Sequence, residues 1–132
     1  MADSPTPKPL ILVVDDMHEI VQALKLFLED AGWEVAYALD GPEALDQART
    51  RLPDVAICDV NLPSMLGWEL CDRLKAMAKP QALPVIMLTA RATELDEIRS
   101  YESSADEHFV KPPDFKALVA AVARHLKTLG RT

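Results

Sequence analysis

The chain has 132 residues, 49% of them hydrophobic and 27% charged. That is the length of one domain with enough apolar material for a core, which excludes a second folded domain and disorder throughout. The formal charge is −7, from 14 Lys and Arg against 21 Asp and Glu, so nucleic acid and anionic membranes lack the basic face they need, whereas a cation is suited.

The stretch over residues 1–8 is polar and Pro-rich, without the apolar core of a secretory signal. It reads as a disordered tail, with the domain over 9–128 and a short C-terminal tail over 129–132. No run approaches the ~20 apolar residues of a membrane span. A cytoplasmic protein is expected. Leu10–Val14 is a continuous apolar run, as a strand buried on both faces requires. From His18 to Ala31, the residues Ile20, Val21, Leu24, Phe27, Leu28 and Ala31 repeat with helical spacing. Gly32 stops that helix. Val35–Leu39 reads as a second strand. A short helix starts at Asp40-Gly41-Pro42-Glu43, with Pro42 near its first position.

Val55–Cys58 is the third apolar run, entered through Pro53 and Asp54. A loop with Pro63 and Gly67 follows, then a helix with Trp68, Cys71, Leu74 and Ala78 on one face. Cys58 and Cys71 read as small buried hydrophobes rather than a disulfide or metal pair. Pro84–Leu88 is the fourth strand. Thr93 to Ser104 is a polar helix with a narrow apolar stripe of Leu95, Ile98 and Tyr101. Glu107–Lys111 is a short fifth strand. Asp114 caps a last helix whose inner face is Phe115, Leu118, Val119, Val122 and Leu126.

Strict alternation of this kind gives an α/β fold: a doubly wound parallel sheet with right-handed crossovers. The first, third and fourth strands are the most uniformly apolar and belong in the middle. The second and fifth carry Glu34, Glu107 and His108 and suit the edges. The expected order is 2-1-3-4-5, a flavodoxin-like five-stranded sheet. Ligands then bind beyond the carboxyl ends of the strands, between strands 1 and 3.

Asp15 and Asp16 follow the first strand, Asp59 the third, Thr89 the fourth and Lys111 the fifth. Any one acid there reads as a cap or a solvated turn. All of them at one sheet edge form a site. Two carboxylates about 4 Å apart repel by roughly 4 kcal/mol at an effective dielectric of 20. Three therefore need counter-charge: Lys111 supplies one, and a divalent cation two more. Oxygen donors without His or thiolate select a hard ion, Mg²⁺ by availability, with Mn²⁺ able to substitute. Such an ion completes its shell with a phosphate oxygen. Asp15 and Asp16 suit the metal. Asp59 stands opposite them and suits a nucleophile that takes a phosphoryl group as an acyl phosphate. Thr89 and Lys111 can each meet a phosphoryl oxygen.

This set resembles the receiver domain of two-component response regulators. The acidic pair, Asp59 43 residues past Asp16, Thr89 30 further and Lys111-Pro112 22 further match that family's order and spacing. Asp59–Gly67 looks like its phosphoacceptor loop, and Ala105-Asp106 before the fifth strand also fits. The resemblance implies phosphorylation of Asp59 by a histidine kinase or a histidine phosphotransfer protein. It implies a signalling domain that catalyses its own phosphorylation and dephosphorylation, with no role as a metabolic enzyme. It adds the backbone carbonyl of Asn61 as a metal ligand and a frequently cis Lys111–Pro112 bond. Activation would reshape the face made by the predicted Thr93–Ser104 helix, the fifth strand and the last helix, for an unspecified protein target. Thr89 and the residue three before the lysine act as switches in the family. Here that residue is His108 in place of Tyr or Phe, either a modified switch or a plain edge-strand residue. Pro113 and Ser104 also depart from the family pattern. Asn61 and Arg91 occupy positions that tune the lifetime of the acyl phosphate; Arg91 either screens the phosphoryl group or is a solvated loop residue.

Three other readings compete. A phosphorylation-independent pseudo-receiver would work as an interaction module, but every expected phosphorylation residue is present. A hydrolase of the haloacid-dehalogenase kind needs an acid where Asn61 stands, and the chain leaves no room for a cap. A flavin or nucleotide binder needs a Gly-rich loop where Asp15-Asp16-Met17-His18 stands.

Overall fold

A computed structural model describes residues 7–90 and 105–131. It contains five strands in one sheet: β1 (Leu10–Val14), β2 (Glu34–Ala38), β3 (Val55–Asp59), β4 (Val85–Thr89) and β5 (Glu107–Val110). All four neighbouring pairs are parallel, in the order β2-β1-β3-β4-β5. Four helices lie among the described residues: α1 (His18–Asp30), α2 (Gly41–Thr50), α3 (Gly67–Ala78) and α4 (Phe115–Thr128). The helix expected over Thr93–Ser104 lies outside the described residues, as does Arg91. So do the first six residues of the expected N-terminal tail.

Every residue of β1, β3 and β4 is buried, whereas β2 and β5 are mostly half-exposed. Side chains alternate between the two faces of a strand. Ile11, Val13, Ile57 and Leu88 pack under α1 and α4 with Val21, Leu24, Leu118 and Val122. Leu12, Val14, Cys58 and Met87 pack on the opposite face with Leu45, Leu70 and Leu74. Burial on both faces explains why these strands read as unbroken apolar runs. Both cysteines are buried thiols outside any disulfide, and desolvation pushes the Cys58 thiol well above its usual range. Gly32 ends α1 with a φ of 99°, a conformation that a Cβ disfavours.

Most differences from the expected elements are shifts of one residue at strand ends. Phe27 is a larger one. It was expected on the inner face of α1, but it lies at the rim, 40% exposed, stacked on Phe115 with ring centroids 4.8 Å apart. Asp114 caps α4 as expected, its Oδ1 accepting from the Ala117 amide at 3.1 Å. Past α4 the chain folds back. The Arg131 amide donates to Leu126 O, and its guanidinium meets Asp54 at 3.1 Å. None of the described helices is long and apolar enough to cross a membrane.

Candidate functional site

The carboxyl edge of the sheet collects residues from four strand ends. Asp15 follows β1, its amide held by Ala38 O of β2 at 3.1 Å. Asp15 is fully buried, and its Oδ1 accepts from the Met17 amide at 2.9 Å. That bond caps the start of α1, where Met17 itself gives no side-chain cap. Asp16 is exposed. Asp59 ends β3 and is 5% exposed. One carboxylate oxygen from each of Asp15, Asp16 and Asp59 falls within 4.8 Å of the others.

Lys111 follows β5, its amide donating to Thr89 O at 2.7 Å. This places its ammonium 2.6 Å from Asp15 Oδ2 and 3.3 Å from Asp59 Oδ1. The Lys111–Pro112 bond is cis, as the resemblance implied. Thr89 is buried at the last position of β4. His108 is half-buried on β5, in register with Met87.

Three carboxylates against one ammonium leave two negative charges uncompensated. Repulsion at about 5 Å is on the order of 3 kcal/mol per pair. The strain shows in the Asp59 proton, which is released only at higher pH than is usual for a carboxyl. The Asp59 carboxyl is raised to about 6 by burial first and the Asp15 charge second, against the pull of Lys111 and the Asn61 amide. An all-oxygen donor set with a net double negative charge fits a hard divalent cation.

The loop after Asp59 is tightly closed. The Gly67 amide donates to Val60 O at 2.7 Å, and Asn61 bridges Leu66. A Cβ on Gly67 would clash with Asp59 O, so only glycine lets α3 start against the end of β3. Sequence reasoning placed Gly67 in the loop without this contact. It also missed Met17, whose Sδ is 3.8 Å from Lys111 Nζ, and a second role for Asp40. A separate cavity of about 400 Å³ at the opposite edge of the sheet is lined by Pro53, Asp54, Leu129 and Arg131.

A five-stranded 2-1-3-4-5 sheet with acids at the ends of β1 and β3 and a lysine after β5 defines a class of phosphoryl-accepting signalling domain. The model of the response regulator receiver domain matches residues 11–123, and the chain belongs to that family, as a receiver domain of two-component response regulators. It is 41% identical over 122 residues to the phosphate regulon transcriptional regulatory protein PhoB of Rhizobium meliloti, covering 90% of this chain and 54% of that protein. The chain thus spans about half the length of the curated relatives it matches. Among solved structures, the chemotaxis response regulator CheY4 of Vibrio cholerae superposes with a TM-score of 0.77 at 35% identity, over 90% of this chain and 99% of that one. A CheY-like receiver domain protein from Methanospirillum hungatei gives 0.83 at 27% identity, over 94% and 98%.

Proposed function

We propose that Asp59 is the phosphoacceptor of this receiver domain, charged by the phosphohistidine of a histidine kinase or a histidine phosphotransfer protein. An Asp59 oxygen attacks phosphorus, the P–N bond to the imidazole breaks, and an acyl phosphate forms. Hydrolysis of that bond later returns the carboxylate. The domain catalyses both steps on itself. The observation that carries this reading is the convergence of Asp15, Asp16, Asp59 and Lys111 from three strand ends.

Asp15, Asp16, Asp59 and the Asn61 carbonyl would hold Mg²⁺ or Mn²⁺, which supplies the positive charge an incoming phosphoryl group needs beside three carboxylates. Lys111 pairs with one phosphoryl oxygen and the Thr89 hydroxyl with another. Thr89 and His108 transmit the change to β5 and α4, the face for a downstream protein. Asn61 and Arg91 set the lifetime of the acyl phosphate. The domain acts in the cytoplasm, and its acidic surface does not contact nucleic acid or membrane. Residues 9–128 form the working unit.

Transfer from a radiolabelled phosphohistidine donor tests the reading. The parent should label in Mg²⁺ and not in EDTA, and Asp59→Asn should not label. Equal labelling of Asp59→Asn would remove Asp59 from the chemistry. The complete set of side chains argues against a phosphorylation-independent interaction module.

A further inference from the structure

We propose that Asp40 is a positioning residue for the loop that follows Asp59, and through that loop for the cation site; the inference rests on reading the acid cluster as that site. Asp40 stands at the N-terminus of α2, outside the cluster. Its Oδ1 accepts from two backbone amides, Gly41 at 2.7 Å and Ser64 at 3.1 Å. One oxygen therefore joins the start of α2 to the loop between β3 and α3, 24 residues away. The Ser64 hydroxyl donates to the same carboxylate.

The loop is fixed at three kinds of point. Its base closes through Gly67 N and Val60 O. Leu62 is buried in the core, and Met65 packs against it and against Gly41. Asp40 holds the tip. Asn61 lies between base and tip, and its amide donates to the Asp59 carboxylate. The Asn61 carbonyl direction follows from the path of this loop. Hydrogen bonds to a carboxylate are charge-assisted and directional. Loss of a partner that orients a metal ligand costs about tenfold or more in metal affinity.

Three variants separate this role from a structural one. Asp40→Ser still caps α2, but its shorter side chain does not reach Ser64. Asp40→Asn keeps an Oδ1 acceptor for both amides. Asp40→Ala loses cap and tether together. Mg²⁺ is titrated against the intrinsic Trp fluorescence, with Trp68 at the start of α3 as reporter, and melting is followed in EDTA. Asp40→Ser should bind Mg²⁺ about tenfold more weakly while melting like the parent in EDTA. Asp40→Asn should bind as the parent does. An Asp40→Ser protein that binds as tightly as the parent overturns the inference. So does an Asp40→Asn protein as weak as Asp40→Ser, because charge alone would then be the cause. Weakening that only tracks lost stability, as in Asp40→Ala, across all three also overturns it. A parent that binds no Mg²⁺ overturns the cation-site reading itself, and the inference with it.

Discussion

The Lys111 ammonium is held closer to Asp15 than to the proposed phosphoacceptor: 2.6 Å to Asp15 Oδ2 against 3.3 Å to Asp59 Oδ1. Asp15 is the more deeply buried of the two acids, and its other oxygen already takes the Met17 amide. Lys111 thus neutralises the carboxylate that has least access to water. Breaking a buried pair leaves a stranded charge, at a cost of about 3 kcal/mol. Lys111→Met should therefore melt well below the parent in EDTA. Mg²⁺ should recover more stability in the variant than in the parent, because the cation no longer competes with the ammonium. Melts with and without Mg²⁺ decide this, and a variant as stable as the parent in EDTA contradicts it.

Asp59 should destabilise the metal-free fold at neutral pH. Its carboxyl titrates at about 6 in the native state against 3.8 ordinarily. Between those values the native state holds a proton that the unfolded chain has released. Stability then falls as pH rises from about 4 to 6 and stays at the lower level above. The loss is on the order of 2 kcal/mol. Asp59→Asn removes it, so the variant should melt higher than the parent in EDTA at pH 7.5. The gap should close as pH falls through 6 toward 4. Millimolar Mg²⁺ should narrow or reverse it by stabilising the parent more. A variant that melts at or below the parent in EDTA at pH 7.5 would refute the assignment of strain to this carboxylate.

The sheet order was legible because burial leaves a direct mark on composition: β1, β3 and β4 are apolar at nearly every position, and Glu34 and Glu107 betray the edges. The acids were legible because each directly follows such a run. Contacts set by the path of a loop were not. Asp40 announced a helix start, yet its second partner, Ser64, belongs to another loop. The preference of Lys111 for Asp15 depends on distances that only the folded edge defines. Phe27 has the spacing of an inner residue, but helical periodicity cannot place the rim of a face, where it stacks on Phe115.

Gly67 should tolerate no side chain. The Cβ of an alanine would clash with Asp59 O and meet Met87 Cε at 2.6 Å and Val60 Cα at 2.9 Å. Two of these are backbone contacts, so a rotamer change gives no relief and α3 must move away from the end of β3. Gly67→Ala should lose about 2 kcal/mol or more of stability and weaken Mg²⁺ binding, because the loop carrying Asn61 moves with it. Urea unfolding in EDTA and a Mg²⁺ titration test the two effects. Parent-like values in both would show that the close approach is relieved at little cost.

His108 stands where the family usually has Tyr or Phe, half-buried on β5 beside Glu107. Glu107 is already engaged, with Arg124 and His125 each at 2.9 Å. If His108 turns inward on activation, the neutral ring can follow an aromatic one, whereas the imidazolium resists desolvation. The response of β5 and α4 to phosphorylation should then be weaker at pH 5.5 than at pH 8. Asp59 titrates in the same range, so the parent profile alone does not isolate His108; the comparison with His108→Phe does. Both proteins are saturated with a beryllium fluoride phosphoryl mimic, and hydrogen exchange over β5 and α4 is measured at each pH, with Trp68 fluorescence reporting occupancy. At equal occupancy, the parent should lose protection at pH 5.5 and His108→Phe should keep it. Parallel profiles would make His108 an edge-strand residue with no part in the switch.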